Sequence, residues 1–296
     1  MPRPAPQIDR LLALVRLLSA DPTRGYGIGE ISRRLQVNKA NLYPMLATLL
    51  DAAWLVRDER TKAFRLGPAL VAVGDAAAGS MPAISLAQPA LVELSHEWGV
   101  TCAILALSDG HATILDQAFD VRSNATPLRV GQRVPVRAPF GAVFIAWSGE
   151  AEVRAWLAGE REEARERTER ALDAIRRQGF VIELRTGTDE QVRSRIEAIP
   201  AGDDRRVTLP AEVLDQLVDE LAGEPGFLLG EIDPERRYSV STIGAPVFDA
   251  RGDVSLCVTA FGFTAAMTGR ELELRGRRLR SVTAELTRKL GGRPAA

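Results

Sequence analysis

The chain has 296 residues, 46% of them hydrophobic, which suits one large domain or two modest ones with a real core. Its two cysteines, Cys102 and Cys257, sit in the apolar runs "VTCAILAL" and "VSLCVTAF", so neither a disulfide framework nor a Cys/His metal cage is expected. No apolar stretch nears the roughly 18 residues of a membrane span, and "MPRPAPQIDR" lacks the apolar core of a signal peptide, so a cytoplasmic protein without membrane association is predicted.

The net charge of −1 conceals an asymmetry. Residues 1–79 carry eleven Lys/Arg against seven Asp/Glu, and the remainder is correspondingly acidic. A basic head on an acidic body points to a polyanion as the partner of the head alone.

From Ile8 to Leu18, apolar residues at positions 8, 11, 12, 15 and 18 recur at helical spacing, and "ADPTRGYG" closes the helix. "IGEISRRL" places Ile28, Ile31 and Leu35 on one stripe and leaves Arg33 and Arg34 off it. After the short "QVN" comes "KANLYPMLATLLDAAW", in which Leu42, Met45, Leu46 and Leu49 define a core face. This is a helix-turn-helix with a proline in its second helix. Asn41 is the expected N-cap, because that start puts Pro44 in the first turn, where a missing N–H costs nothing. Lys39, Asn41 and Tyr43 then lie at the end of the helix that enters a major groove. "LVRDERTKAFRLG" reads as a two-stranded wing whose Arg57, Arg60, Lys62 and Arg65 suit a phosphate backbone.

Helix order, "EISRRL" and the closing "FRLGPAL" together resemble the DNA-binding head of the IclR family of bacterial transcriptional regulators, over about the first 75 residues. One phrase departs: "NLYPML" is closer to the recognition helix of PadR-like winged-helix regulators.

In the body, "MPAISLAQPALVELSHEWGV" predicts a connecting helix, broken or kinked near Pro89, with Leu86, Leu91, Leu94 and Trp98 close to one side. "VTCAILAL" and "ATILDQAF" form a hairpin about "SDGH". A strand, a loop with Pro135 and Pro139, and a short helix holding Phe140, Phe144 and Trp147 come next. Glu160–Gln178 is a solvated helix supported by Glu163–Arg167 and Glu166–Arg170 pairs. "GFVIEL", two strands about "DARGD" and a helix from Gly269 to Leu290 complete an α+β order centred on one antiparallel sheet.

That body is also similar to the effector-binding domain of the IclR family, a GAF-like sensor, through "LVELSHEWGVTCAILALSDGHATILDQA", "LRVGQRVPVRAPFGAVFIAW", "ALDAIRRQGF" and "STIGAPVFDARGDVSLCVTAFG". Between Arg185 and Tyr238 the likeness lapses, giving an atypical insertion at about 186–237. The resemblance implies three parts: a winged-helix domain at 1–79, a connecting helix at 80–99 and an effector-binding and oligomerisation domain at 100–296. It also implies an effector pocket walled by Phe140, Gly141, Ser241, Thr242, Cys257 and Thr259, with Arg129, Arg133 and Arg137 flanking its loop.

His96 and His111 fall in no metal-binding spacing, and the nucleophile and phosphate motifs GxSxG, Walker A and GxGxxG are absent. No enzyme, cofactor or metal is expected. The sequence thus predicts a homodimeric or homotetrameric regulator of a double-stranded DNA operator. Its effector would be a mostly hydrophobic small organic molecule, with or without a carboxylate held by arginine. The competing reading is a DNA-binding regulator without an effector, whose body serves oligomerisation or protein contacts.

Overall fold

Local signals in the first eighty residues build a small unit, Met1–Ser80, distinct from a larger one, Met81–Ala296. The structure is a computed structural model that describes residues 5–21, 24–123, 130–186 and 226–294. Arg129 and most of the insertion lie outside these residues.

In the smaller unit, α1 (Pro6–Ala20), α2 (Ile28–Leu35) and α3 (Lys39–Asp51) surround a core of Leu14, Leu18, Ile31, Leu42, Leu46 and Leu49. The apolar face of α1 is rotated from the expected stripe. Leu14 and Leu18 are buried, whereas Ile8 and Leu12 are exposed, because the core lies only against the C-terminal half of the helix. Strands β1 (Leu55–Arg57) and β2 (Phe64–Leu66) pair antiparallel, with Leu55 opposite Leu66. Tyr26 exchanges two backbone hydrogen bonds with Phe64 (3.0 and 2.9 Å), which fastens the wing to the segment entering α2.

The expected cap of α3 is corrected. Asn38, not Asn41, is the N-cap, and its side-chain oxygen accepts from the Ala40 N–H at 3.0 Å. Pro44 is therefore inside the helix and cannot bond to the carbonyl of Ala40. Both residues are solvent-exposed, so the freed carbonyl is met by water instead of by a dry core. A helix absent from the sequence reading, α4 (Ala69–Gly79), follows Pro68. Its residues "ALVAVGDAAAG" carry no polar face that would betray it, and none of them is buried.

The larger unit is a six-stranded antiparallel sheet between two layers of helix. α5 (Pro82–Trp98) leads to β3 (Thr101–Ser108), β4 (His111–Phe119) and β5 (Arg133–Pro135). Then come α6 (Ala142–Ile145), α7 (Glu150–Trp156), α8 (Glu162–Gln178) and β6 (Val181–Leu184). After β7 (Arg237–Tyr238) the chain runs through β8 (Val240–Phe248), β9 (Val254–Phe261), β10 (Met267–Thr268) and α9 (Gly269–Lys289). Strand order is β5-β4-β3-β9-β8-β6, with β7 and β10 as a separate pair. One face packs Ile104, Ile182, Ile243, Ala245, Val247 and Val258 against Leu91 and Leu94 of α5 and Leu272, Leu279 and Leu286 of α9. The other packs Ala103, Leu105, Ile114, Val181 and Cys257 against Phe144 of α6, Trp156 of α7 and Leu172 and Ile175 of α8.

Three expectations change here. α5 runs unbroken through Pro89, which, like Pro44, is exposed together with the residue four before it, Ser85. Helix α6 is only four residues long and excludes Phe140 and Trp147. The pairs observed on α8 are Arg165–Glu162 (3.5 Å) and Arg176–Asp173 (2.6 Å), with i, i+3 spacing replacing the expected i, i+4.

Candidate functional site

The sequence-predicted site residues fall into two separate groups. The first lies on α3 and the wing. Leu42, Leu46 and Leu49 turn to the core, which leaves Lys39, Ala40, Asn41, Tyr43, Pro44, Ala47 and Thr48 exposed on the opposite side. Tyr43 is 59% exposed, a large aromatic held out in solvent. The wing tip is fixed by Asp58, whose carboxylate accepts from the Arg60 N–H (3.0 Å), the Thr61 N–H (2.6 Å) and the Thr61 hydroxyl (2.8 Å). These bonds, the Thr61 backbone bond foremost, hold the Asp58 carboxyl below its ordinary range. Arg60, Lys62 and Arg65 stand exposed around this tip, and Arg57 lies over the Phe64 ring at 5.4 Å. Arg33, Lys39, Arg57, Arg60, Lys62 and Arg65 have no carboxylate partner among the described residues.

Arg34 is different. It pairs with Glu30 at 3.2 Å and, with Arg24, packs over the ring of Tyr26 (5.7 and 4.9 Å), which burial gives a raised pKa. These contacts tie Arg34 to the fold of the head.

The second group lies on the sheet face covered by α6–α8. Gly141 adopts φ +79° as the residue before α6, and a Cβ there would meet Val136 Cγ1 at 2.7 Å. Phe140 is held by its backbone, since its carbonyl accepts from Trp156 Nε1 at 3.0 Å, and its ring tilts against Phe227 with centroids 5.0 Å apart. Register sets Gly244 beside Thr259, Pro246 beside Cys257 and Thr242 beside Phe261. Because side chains alternate across a strand, Thr242, Cys257 and Thr259 share one face. The Thr259 hydroxyl is buried and has no hydrogen-bond partner among the described residues.

Ser241 is the extra residue of a bulge: Glu183 pairs with Thr242 and Leu184 with Val240, so alternation does not assign its direction. Cys257 is 3% exposed and burial pushes its thiol up, as burial pushes that of Cys102 up to about 12; both thiols are inert apolar groups. Arg133 lies 3.2 Å from His111 Nδ1, and Arg137 is exposed. Sequence reasoning overlooked Glu183 and Phe227. The register of β6 puts Glu183 on the same face as Thr242, and its charge adds to the raised pKa of Cys257. A lone acid in "GFVIEL" gives no signal of this without knowledge of which strand flanks it.

A helix-turn-helix head with a wing, followed in the same chain by an antiparallel sheet domain packed with helices on both faces, defines the class of winged-helix transcriptional regulators. The sequence matches the IclR helix-turn-helix domain over residues 7–59 and the C-terminal domain of bacterial IclR transcriptional regulators over residues 75–193. The HTH-type transcriptional regulator XynR of Escherichia coli is 30% identical over 186 residues, which cover 60% of this chain and 73% of XynR. The chain belongs to the IclR family. In structure it is similar to an IclR transcriptional regulator from Alicyclobacillus acidocaldarius (TM-score 0.70, 20% identity, 98% of this chain and 100% of that one). It also resembles an IclR homologue from Microbacterium hydrocarbonoxydans complexed with 4-hydroxybenzoate (TM-score 0.63, 15% identity, 96% and 98% covered). Among the described residues no single helix is long and apolar enough to cross a membrane.

Proposed function

We propose that this protein is a transcriptional regulator that reads a double-stranded operator with α3, grips the flanking phosphates with its wing, and changes operator affinity when a small organic effector occupies the face of the sheet under α6. Its division of labour is a DNA-binding head at 1–79 and an effector-binding and oligomerising body beyond the connecting helix, working as a homodimer or homotetramer on a paired site. The observation that carries the DNA-binding reading is that the head exposes Arg33, Lys39, Arg57, Arg60, Lys62 and Arg65, none with a carboxylate partner among the described residues, together with the outward side of α3.

The sensing half rests on Thr259. A buried hydroxyl without a partner costs about 1–3 kcal/mol, and a ligand that bonds to it recovers that loss. With Cys257 and Thr242 on the same face of the sheet, the site suits a compact molecule with an apolar body and at least one hydrogen-bonding group. The complex of the Microbacterium relative with 4-hydroxybenzoate supports this class and makes that compound the first probe.

The test is a titration of the full chain onto DNA flanking its own gene, with and without 4-hydroxybenzoate and other small hydroxylated organic acids. We expect protection of a paired site whose affinity shifts with one of these compounds. Thr259→Phe should remove the shift and retain operator binding. Operator binding that no compound alters, in a protein whose thermal stability none of them raises, would favour a body that serves only oligomerisation.

A further inference from the structure

The outward ridge of α3 is almost devoid of groups that can hydrogen-bond to a base. At 100° per residue, Ala40, Pro44 and Ala47 lie within about 60° of one another and opposite Leu42, Leu46 and Leu49. All three are exposed. Pro44 offers only methylenes to the outside, at the cost of the backbone hydrogen bond to Ala40. Thr48, next along the ridge, uses its hydroxyl proton on the carbonyl of Pro44 at 3.0 Å. Polar side chains stand only at the flanks: Asn41 on one edge, Lys39 and the Tyr43 hydroxyl on the other. Asp51 closes the ridge with a negative charge, which keeps the C-terminal end off the phosphates and leaves the apolar part to enter the groove.

A major groove shows one apolar feature to such a ridge, the C5 methyl of thymine. We propose that α3 reads its operator chiefly through thymine methyl groups packed on Ala40, Pro44 and Ala47, with Asn41 and Tyr43 contacting the adjoining pairs. The operator half-site therefore carries thymines at the positions under the middle of α3, since the methyl is the one group there that the ridge can pack against. This inference rests on the reading of the head as a sequence-specific DNA binder.

The experiment uses the full chain and a random duplex pool. Duplexes are selected for binding, and each thymine of the best half-site is then replaced in turn by deoxyuridine, which deletes the methyl and leaves pairing intact. One or more substitutions under the ridge should each weaken binding about three- to fivefold, the value of one buried methyl. In Ala47→Gly the penalty at one of those positions should fall below about twofold. The deoxyuridine series uses the unaltered protein, so its outcome does not depend on how well that variant folds. A selected half-site lacking thymine under the helix, or one indifferent to uracil at every thymine, overturns the proposal while leaving sequence-specific DNA binding in place. Recovery of no preferred sequence at all overturns the DNA-reading assignment itself.

Discussion

The head and the body place their function-bearing residues in opposite relations to their cores. In the head, Asn41, Tyr43, Arg60 and Lys62 are exposed and hold nothing together. In the body, Gly141, Cys257 and Thr259 are parts of the packing as well as candidate contacts. Substitutions should therefore separate function from stability in the head and entangle them in the body.

The largest effect is expected at Gly141. Alanine there must adopt φ +79° and press its methyl on Val136, so Gly141→Ala should lower the stability of the larger unit by about 3 kcal/mol in denaturant melts. An unchanged midpoint would mean that the loop before α6 adapts freely, and the contrast between the units would weaken. Next in size is Pro44→Ala, which restores the hydrogen bond to the Ala40 carbonyl and should stabilise the head by up to about 3 kcal/mol. That gain with altered operator choice is the signature of a residue kept for function at the expense of its own helix. No gain would place the helix start after Ala40.

Thr259→Val should raise the stability of the body by about 1 kcal/mol, since it deletes an unpartnered hydroxyl at little change of volume, and should abolish any ligand-induced rise in melting temperature. Lower stability would reveal that the hydroxyl does find a partner in solution. Smallest in stability is Arg60→Ala, within about 0.5 kcal/mol of the parent protein. It should still weaken specific and random DNA alike and flatten the dependence on log salt by about one unit.

What was legible in the sequence follows the same division. Helical periodicity marked α1–α3 and the last helix, each with one buried and one wet side, whereas β3, β8 and β9, packed on both faces, showed as short apolar runs between turn signals. α4 escaped because it is apolar on nearly every side and none of its residues is fully buried, so no single face stands out. The cap of α3 was misplaced because local propensity favours Pro44 in a first turn, whereas the Asn38 side chain caps the Ala40 N–H and starts the helix at Lys39. The interior prolines Pro44 and Pro89 are both tolerated on solvent faces, a condition that requires knowing which side is wet. In the body, Thr242 and Thr259 were named as candidates through family likeness alone. Glu183 and Phe227 reach the site only through strand register and a loop contact that no linear pattern encodes.

The central claim is that α3 selects sequence while the wing supplies charge. It is tested most directly by measuring the affinity of the full chain for its best selected duplex and for a shuffled duplex across a salt series, in the parent protein and in Tyr43→Ala. The account predicts that Tyr43→Ala narrows the gap between the two duplexes by about 1–3 kcal/mol and leaves the salt slope unchanged. Equal weakening on both duplexes, or a loss of slope in place of a loss of preference, would contradict it.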